Sequence, residues 1–174
     1  MSGAAGRVHS IQVSGGGVPK RAVARARIGK LGLEGDRQRN LKFHGGPDRA
    51  VCLFSLEVIE RLRAEGHPIE PGSTGENLTL AGLDWAAVVP GARLRIGADA
   101  LLEITQHTKP CATIAASFQG GAFQRIAPRE HPHECRLYAR VLAEGDAAPG
   151  DPVELLPPRA ALARKFTSLR DRLR

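Results

Sequence analysis

The sequence predicts a mainly β fold, a barrel of short strands decorated by short helices and closed by a helical tail. Short apolar or alternating runs recur along its length. Glycine and proline, 20 and 12 residues, punctuate those runs as turns do. Clear helical spacing is confined to one internal segment and to the tail, which favours a barrel over a helical or layered fold. With 174 residues the chain is long enough to bury its own core. A barrel domain is expected over residues 1–156 and a basic amphipathic helix or tail over 157–174.

Arg7 to Val13 alternates loosely and reads as a strand, ended by the loop from Ser14 to Pro19. Arg21 to Ile28 alternates small apolar residues with arginine, the pattern of one half-exposed strand with a wet arginine face. Gly29 to Asp48 is rich in glycine and charge and is expected to be long and irregular, as functional loops often are. Arg49 to Ser55 is apolar enough for a buried strand. Leu56, Ile59 and Leu62 then take helical spacing, and Gly66 and Pro68 stop that helix. Pro71 to Thr79 is a glycine-rich loop feeding a short strand. Leu94–Gly97 and Ala100–Gln106 form a hairpin about Ala98-Asp99, which delivers the chain to Lys109-Pro110-Cys111. Ala112 to Phe118 suits a short helix, and Leu137 to Leu142 a strand with Gly145-Asp146 as its turn. Asp151 to Leu156 is the closing strand. Beyond Pro157-Pro158, Leu162, Phe166, Leu169 and Leu173 share one helical face and are expected to dock on the barrel or on a second subunit.

Composition narrows the function classes. A net charge of +7 suits an anionic partner, either a phosphorylated small molecule, an acidic protein or a nucleic acid. Single-strand binders usually set stacking aromatics in a basic groove, and here the five Phe, one Trp and one Tyr mostly sit among aliphatic residues, so nucleic acid is disfavoured. Three cysteines cannot all pair, no apolar segment suited to secretion follows Met1, and no apolar run would span a bilayer. A reducing cytoplasm is the expected setting.

Four segments carry a resemblance. They are Gly32-Leu33-Glu34-Gly35-Asp36-Arg37 followed by His44-Gly45-Gly46-Pro47-Asp48-Arg49-Ala50-Val51; Gly75-Glu76-Asn77-Leu78; Gly91 to Gly97 running into Thr108-Lys109-Pro110-Cys111; and Tyr138 to Leu142 with Gly145 and Gly150-Asp151. In this order and spacing the chain resembles the MOSC family, named for the C-terminal domain of molybdenum cofactor sulfurases. The resemblance covers most of residues 8 to 156. It implies a β-barrel whose cysteine either carries sulfur or ligates the metal of a molybdenum cofactor (molybdopterin). It is strongest toward a bacterial class that reduces N-hydroxylated compounds, without the further C-terminal domain that class often carries. It also implies a glycine where this chain has Arg136.

The candidate residues follow. Cys111, presented behind a proline at a hairpin's end with His107 and Lys109 close in sequence, is the expected nucleophile or metal ligand; by itself it could equally be a small buried hydrophobe. Asn77 is expected to orient a polar head group or an oxo ligand, or merely to cap its turn. Arg37 matches an arginine that contacts the pterin's phosphate in the resembling proteins, and Ser14 a serine near it. His44 and Arg49 either line the cofactor pocket or lock the Gly45-Gly46-Pro47 turn. Cys52, sharing a strand face with Phe54, is expected to be core. The run His131-Pro132-His133-Glu134-Cys135 could ligate a metal but reads better as an exposed loop.

Three functions follow: a molybdenum-cofactor oxidoreductase, a sulfurtransferase or sulfur carrier with a Cys111 persulfide, or a non-enzymatic module for an anionic partner. The expected partners are a small-molecule substrate and a sulfur donor or electron-transfer protein, with a homodimer open. No lysine sits in a recognisable Schiff-base setting, so no pyridoxal phosphate is expected.

Overall fold

The computed structural model describes residues 5–38 and 45–159. Eleven strands are found there: β1 (Gly6–Val13), β2 (Arg21–Val23), β3 (Ala26–Gly29), β4 (Gly32–Leu33), β5 (Val51–Ser55), β6 (Leu78–Ala81), β7 (Arg93–Ile96), β8 (Ala100–His107), β9 (Leu137–Ala143), β10 (Gly145–Ala147) and β11 (Pro152–Leu156). The main sheet runs β11-β7-β8-β9-β5-β6-β1-β2, and β11 also pairs with β1. That extra pairing, Gly6 opposite Val153, closes seven strands into a barrel and leaves β2 as an appendage. The mainly β barrel expected from the sequence is therefore the fold.

All neighbours in the main sheet are antiparallel except β5 and β6, which run parallel with Leu53 opposite Leu78. A parallel pair needs a crossover, and the helix α1 (Leu56–Ala64) supplies it. The Ser55 hydroxyl caps α1 by accepting from Val58 N–H, Glu57 lies in the first turn, Arg61 and Arg63 in the last, and Gly66 follows with φ 100°. Its Leu56, Val58, Ile59 and Leu62 are buried. This explains why every residue of β5 and β6 is buried, whereas β7, covered on one face, alternates. The core includes Ile11, Leu53, Phe54, Leu78, Leu94, Ile96 and Leu102, all essentially inaccessible, and each stabilises the fold by about 1.5–3 kcal/mol through its burial.

Two expectations are corrected. Arg21 to Ile28 is not one strand: it breaks at Ala24-Arg25, β2 pairing with β1 and β3 with β10 and β4 in a separate three-stranded sheet. Gly145-Asp146 is not a plain turn but the start of β10, with Gly145 opposite Ile28. The segment 112–118 forms a short 3₁₀ helix, Ala112–Ser117. His44 and the tail helix expected beyond Arg159 lie outside the described residues. No helix among the described residues is long and apolar enough to cross a membrane.

Candidate functional site

The barrel opens where the start of β6, the start of β9 and the ends of β1 and β8 come level with Leu53 in the middle of β5. The loops after β1 and β8 and the loop before β6 rim it, and between them lies a cleft of about 890 Å³. Arg37, Arg49, Asn77 and Cys111 all line this cleft, although they come from four separate segments.

Asp36 organises the first wall. Its carboxylate is almost fully buried, accepts from Lys20 Nζ at 2.6 Å, from Ser14 N–H at 2.9 Å and from Asn77 Nδ2 at 2.9 Å. Arg37 N–H donates to Ser14 O at 2.8 Å, so the turn is pinned while the exposed Arg37 side chain faces the cleft. Ser14 is not among the lining residues. Its hydroxyl donates to Gly17 O and accepts from Gly16 N–H, shaping the loop behind the cleft. On the facing loop Gly72 has φ 85°, and a Cβ there would stand 2.5 Å from Lys20 O; only glycine lets these two loops meet.

Asn77 is nearly inaccessible, and its amide is committed to the protein. Oδ1 accepts from Cys52 N–H at 3.1 Å, and Nδ2 donates to Asp36 and to Gln12 O. The structure thus gives it the work of tying β1, β5 and the Asp36 turn together. Just before it, Glu76 is fully buried, accepting from Gly72 N–H and Thr74 Oγ1, and burial pushes its carboxyl above the ordinary range.

The thiols differ sharply. Cys111 is exposed at the cleft edge, at the N-terminus of the 112–117 turn, with Sγ 3.3 Å from Thr113 Oγ1. Cys52, expected in the core, is buried yet also lines the cleft. In register, Cys52 stands opposite Tyr138, and Tyr138 opposite Gln106, so three cleft residues sit side by side on β5, β9 and β8. Burial raises the Cys52 thiol, with Arg136 and Lys20 offsetting part of that, and burial likewise raises the Tyr138 hydroxyl. Thr105, where the β8–β9 register shifts, shares its one Oγ1 proton between Asp48 O at 2.6 Å and Tyr138 O at 3.1 Å, joining the turn before Arg49 to this row.

The segment 131–135 is not the exposed loop expected throughout. Cys135 is buried, donates to Pro132 O and is pushed up to about 11 by burial, and Glu134 is taken by Arg61 and Arg125. No three His, Cys, Asp or Glu side chains among the described residues are placed to hold a metal ion.

Among the described residues, five cations, Lys20, Arg37, Arg49, Lys109 and Arg136, line the cleft, and no carboxylate does. Such a surface draws anions. Arg136 is the residue that sequence reasoning missed as a site residue. It is only 6% exposed, and its Nη1 donates to Thr74 O. The available signal was an arginine abutting the apolar strand Leu137–Ala143, where a charge is buried only with a reason.

The family model described as "MOSC domain" matches residues 40–154. The chain belongs to the MOSC domain family. The Bacillus subtilis protein YflK is 35% identical over 125 residues, covering 71% of this chain and 55% of YflK. A protein named "Reductase" from Gibberella moniliformis is 30% identical over 118 residues, 65% of this chain but 20% of its own length. The crystal structure of YiiM from Geobacillus stearothermophilus superposes with a TM-score of 0.66 at 27% identity, covering 87% of this chain and 75% of that one. The chain thus spans a little over half the length of the first curated relatives it matches.

Proposed function

We propose that this MOSC barrel holds a molybdenum cofactor in the cationic cleft and reduces N-hydroxylated small molecules. The observation that carries the reading is an exposed thiol, Cys111, at the edge of a cleft lined, among the described residues, by five cations and no carboxylate. A soft thiolate suits molybdenum, and a cationic wall suits the phosphate and oxo groups that accompany it. The residues therefore fit the group. When bound, the cofactor would supply two-electron redox chemistry at an open metal position.

Cys111 would be the metal ligand, Arg37 the fork on the cofactor's phosphate, and Arg49 a further wall cation. Asp36, Lys20, Ser14 and Asn77 fix the Arg37 turn so that the guanidinium arrives already oriented. Net reduction of a hydroxylamine-type N–O bond consumes two electrons and two protons from an external donor and releases the amine and water. The relative named "Reductase" supports this reading, whereas the exposure of Cys111 also favours a second one, a persulfide carrier loaded by an external sulfur donor.

Metal analysis of freshly purified protein decides between them. Molybdenum retained by the wild type and lost in Cys111→Ser supports the cofactor reading, as does reduction of an N-hydroxylated substrate by the wild type alone. A metal-free wild type that takes up sulfane sulfur on Cys111 moves the assignment to sulfur transfer. Equal molybdenum in both proteins overturns the role of Cys111.

A further inference from the structure

Arg136 stands out because its charge is buried while no carboxylate among the described residues forms an ion pair with it. It forms no ion pair among the described residues, and its one hydrogen bond to the protein runs from Nη1 to Thr74 O. Nε has no partner. A guanidinium carries five donors, and the Nε–Nη2 edge left over is the one that grips a carboxylate side-on. Glu76 is near enough to feel the Arg136 charge, but it makes no ion pair or hydrogen bond with it, its oxygens accepting from Gly72 N–H, Thr74 Oγ1 and Thr79 Oγ1. Beside Arg136, the Thr108 hydroxyl is also buried; it lies against the Cys52 thiol but forms no well-aligned hydrogen bond, and both Thr108 and Arg136 line the cleft. The backbone sets them together, Thr108 N–H donating to Arg136 O at 2.9 Å.

Leaving a buried cation unpaired destabilises a fold, so such a group is retained where a ligand completes it. We infer that Arg136 and Thr108 form an oxyanion subsite in the cleft wall, which selects substrates bearing a carboxylate. The subsite rests on the cleft being a ligand site, as proposed above, and not on the metal. Arg136 acts as a specificity determinant, receiving the anionic end of the substrate at the row of Cys52, Tyr138 and Gln106.

The test titrates purified full-length protein with sodium acetate in an anion-poor buffer, following heat of binding and melting temperature. Acetate binds the wild type and stabilises it. Arg136→Gly weakens that binding about tenfold or more, the loss expected for a charge-assisted bond, and Arg136→Lys, keeping the charge without the fork, falls between. Arg136→Gly also melts no lower than the wild type without acetate, since it removes an unpaired buried charge; Arg136→Lys provides the comparison that keeps the cation. Molybdenum content is measured on the same samples. Unchanged content in Arg136→Gly assigns the oxyanion to the substrate, whereas loss of metal together with acetate affinity assigns it to the cofactor's phosphate and overturns the inference. Acetate affinity equal in wild type and Arg136→Gly, or no binding to the wild type, also overturns it. A metal-free wild type defeats the cofactor reading alone, because the acetate titration still reads the subsite.

Discussion

Asn77 reaches across the barrel mouth to Asp36, its Nδ2 2.9 Å from Oδ2, while its Oδ1 holds the amide of Cys52 at 3.1 Å. One side chain thereby connects the strand that carries the buried thiol to the turn that carries Arg37. Asn77→Ala leaves the Cys52 N–H without this partner and removes a donor from a buried carboxylate. A loss of about 2–3 kcal/mol is expected, which lowers the melting temperature by roughly 4–12 °C in a chain of this size. Asn77→Asp should be worse, because it sets a second carboxylate against Asp36. Thermal melts of both variants check this; melts equal to the wild type would return Asn77 to the ligand.

The three thiols should separate by reactivity. Cys111 is exposed, whereas burial raises Cys52 and Cys135 above the ordinary thiol range. The thiolate is the reacting form, so an aromatic disulfide reagent at neutral pH should modify Cys111 rapidly in the native protein and the other two only after denaturation. Cys111→Ser should abolish the fast phase. A fast phase that survives this substitution would show that Cys52 is reached through the cleft.

Acid should loosen the contact between α1 and the segment ahead of β9. Arg125 binds both Glu65 and Glu134, and Arg61 binds Glu134 as well. Hydrogen bonding to Arg125 lowers Glu134 from 4.5 to about 2 and lowers Glu65 in the same direction. A carboxyl depressed on folding contributes stability above its unfolded value, and that contribution disappears as pH falls through the folded one. The wild type should therefore lose stability between about pH 4.5 and pH 2, and Arg125→Ala should flatten that part of the profile while lowering stability at pH 7. Denaturant melts across this range read both effects, and parallel profiles would assign the acid sensitivity elsewhere.

Local pattern made α1, β5, the β7–β8 hairpin and β9 legible, since each is announced by its own periodicity and bounded by glycine, proline or a cap. The division of residues 21–28 was not, because β3 is defined by its partner β10, more than a hundred residues away. Arg37, Arg49, Asn77 and Cys111 could be singled out by their glycine- and proline-rich surroundings. What Asn77 holds could not, since both its partners come from other segments. Cys52 looked like core for a sound reason: β5 is covered on both faces, and only the indentation at the barrel mouth distinguishes Cys52 from Leu53. Arg136 escaped for the same reason, its meaning residing in a cavity that no local spacing reveals.

The pairing of β1 with β11 has a consequence for the order of assembly. Every strand that frames the cleft belongs to a ring completed only when β1 finds β11, the most distant strand pairing among the described residues. Such long-range closure is entropically slow, so ligand competence should emerge as a late and all-or-none event rather than growing strand by strand. Once the ring is shut, β1 and β11 no longer present bare edges to other chains along their paired length, so completion of the mouth and protection from edge-to-edge association arrive in a single step.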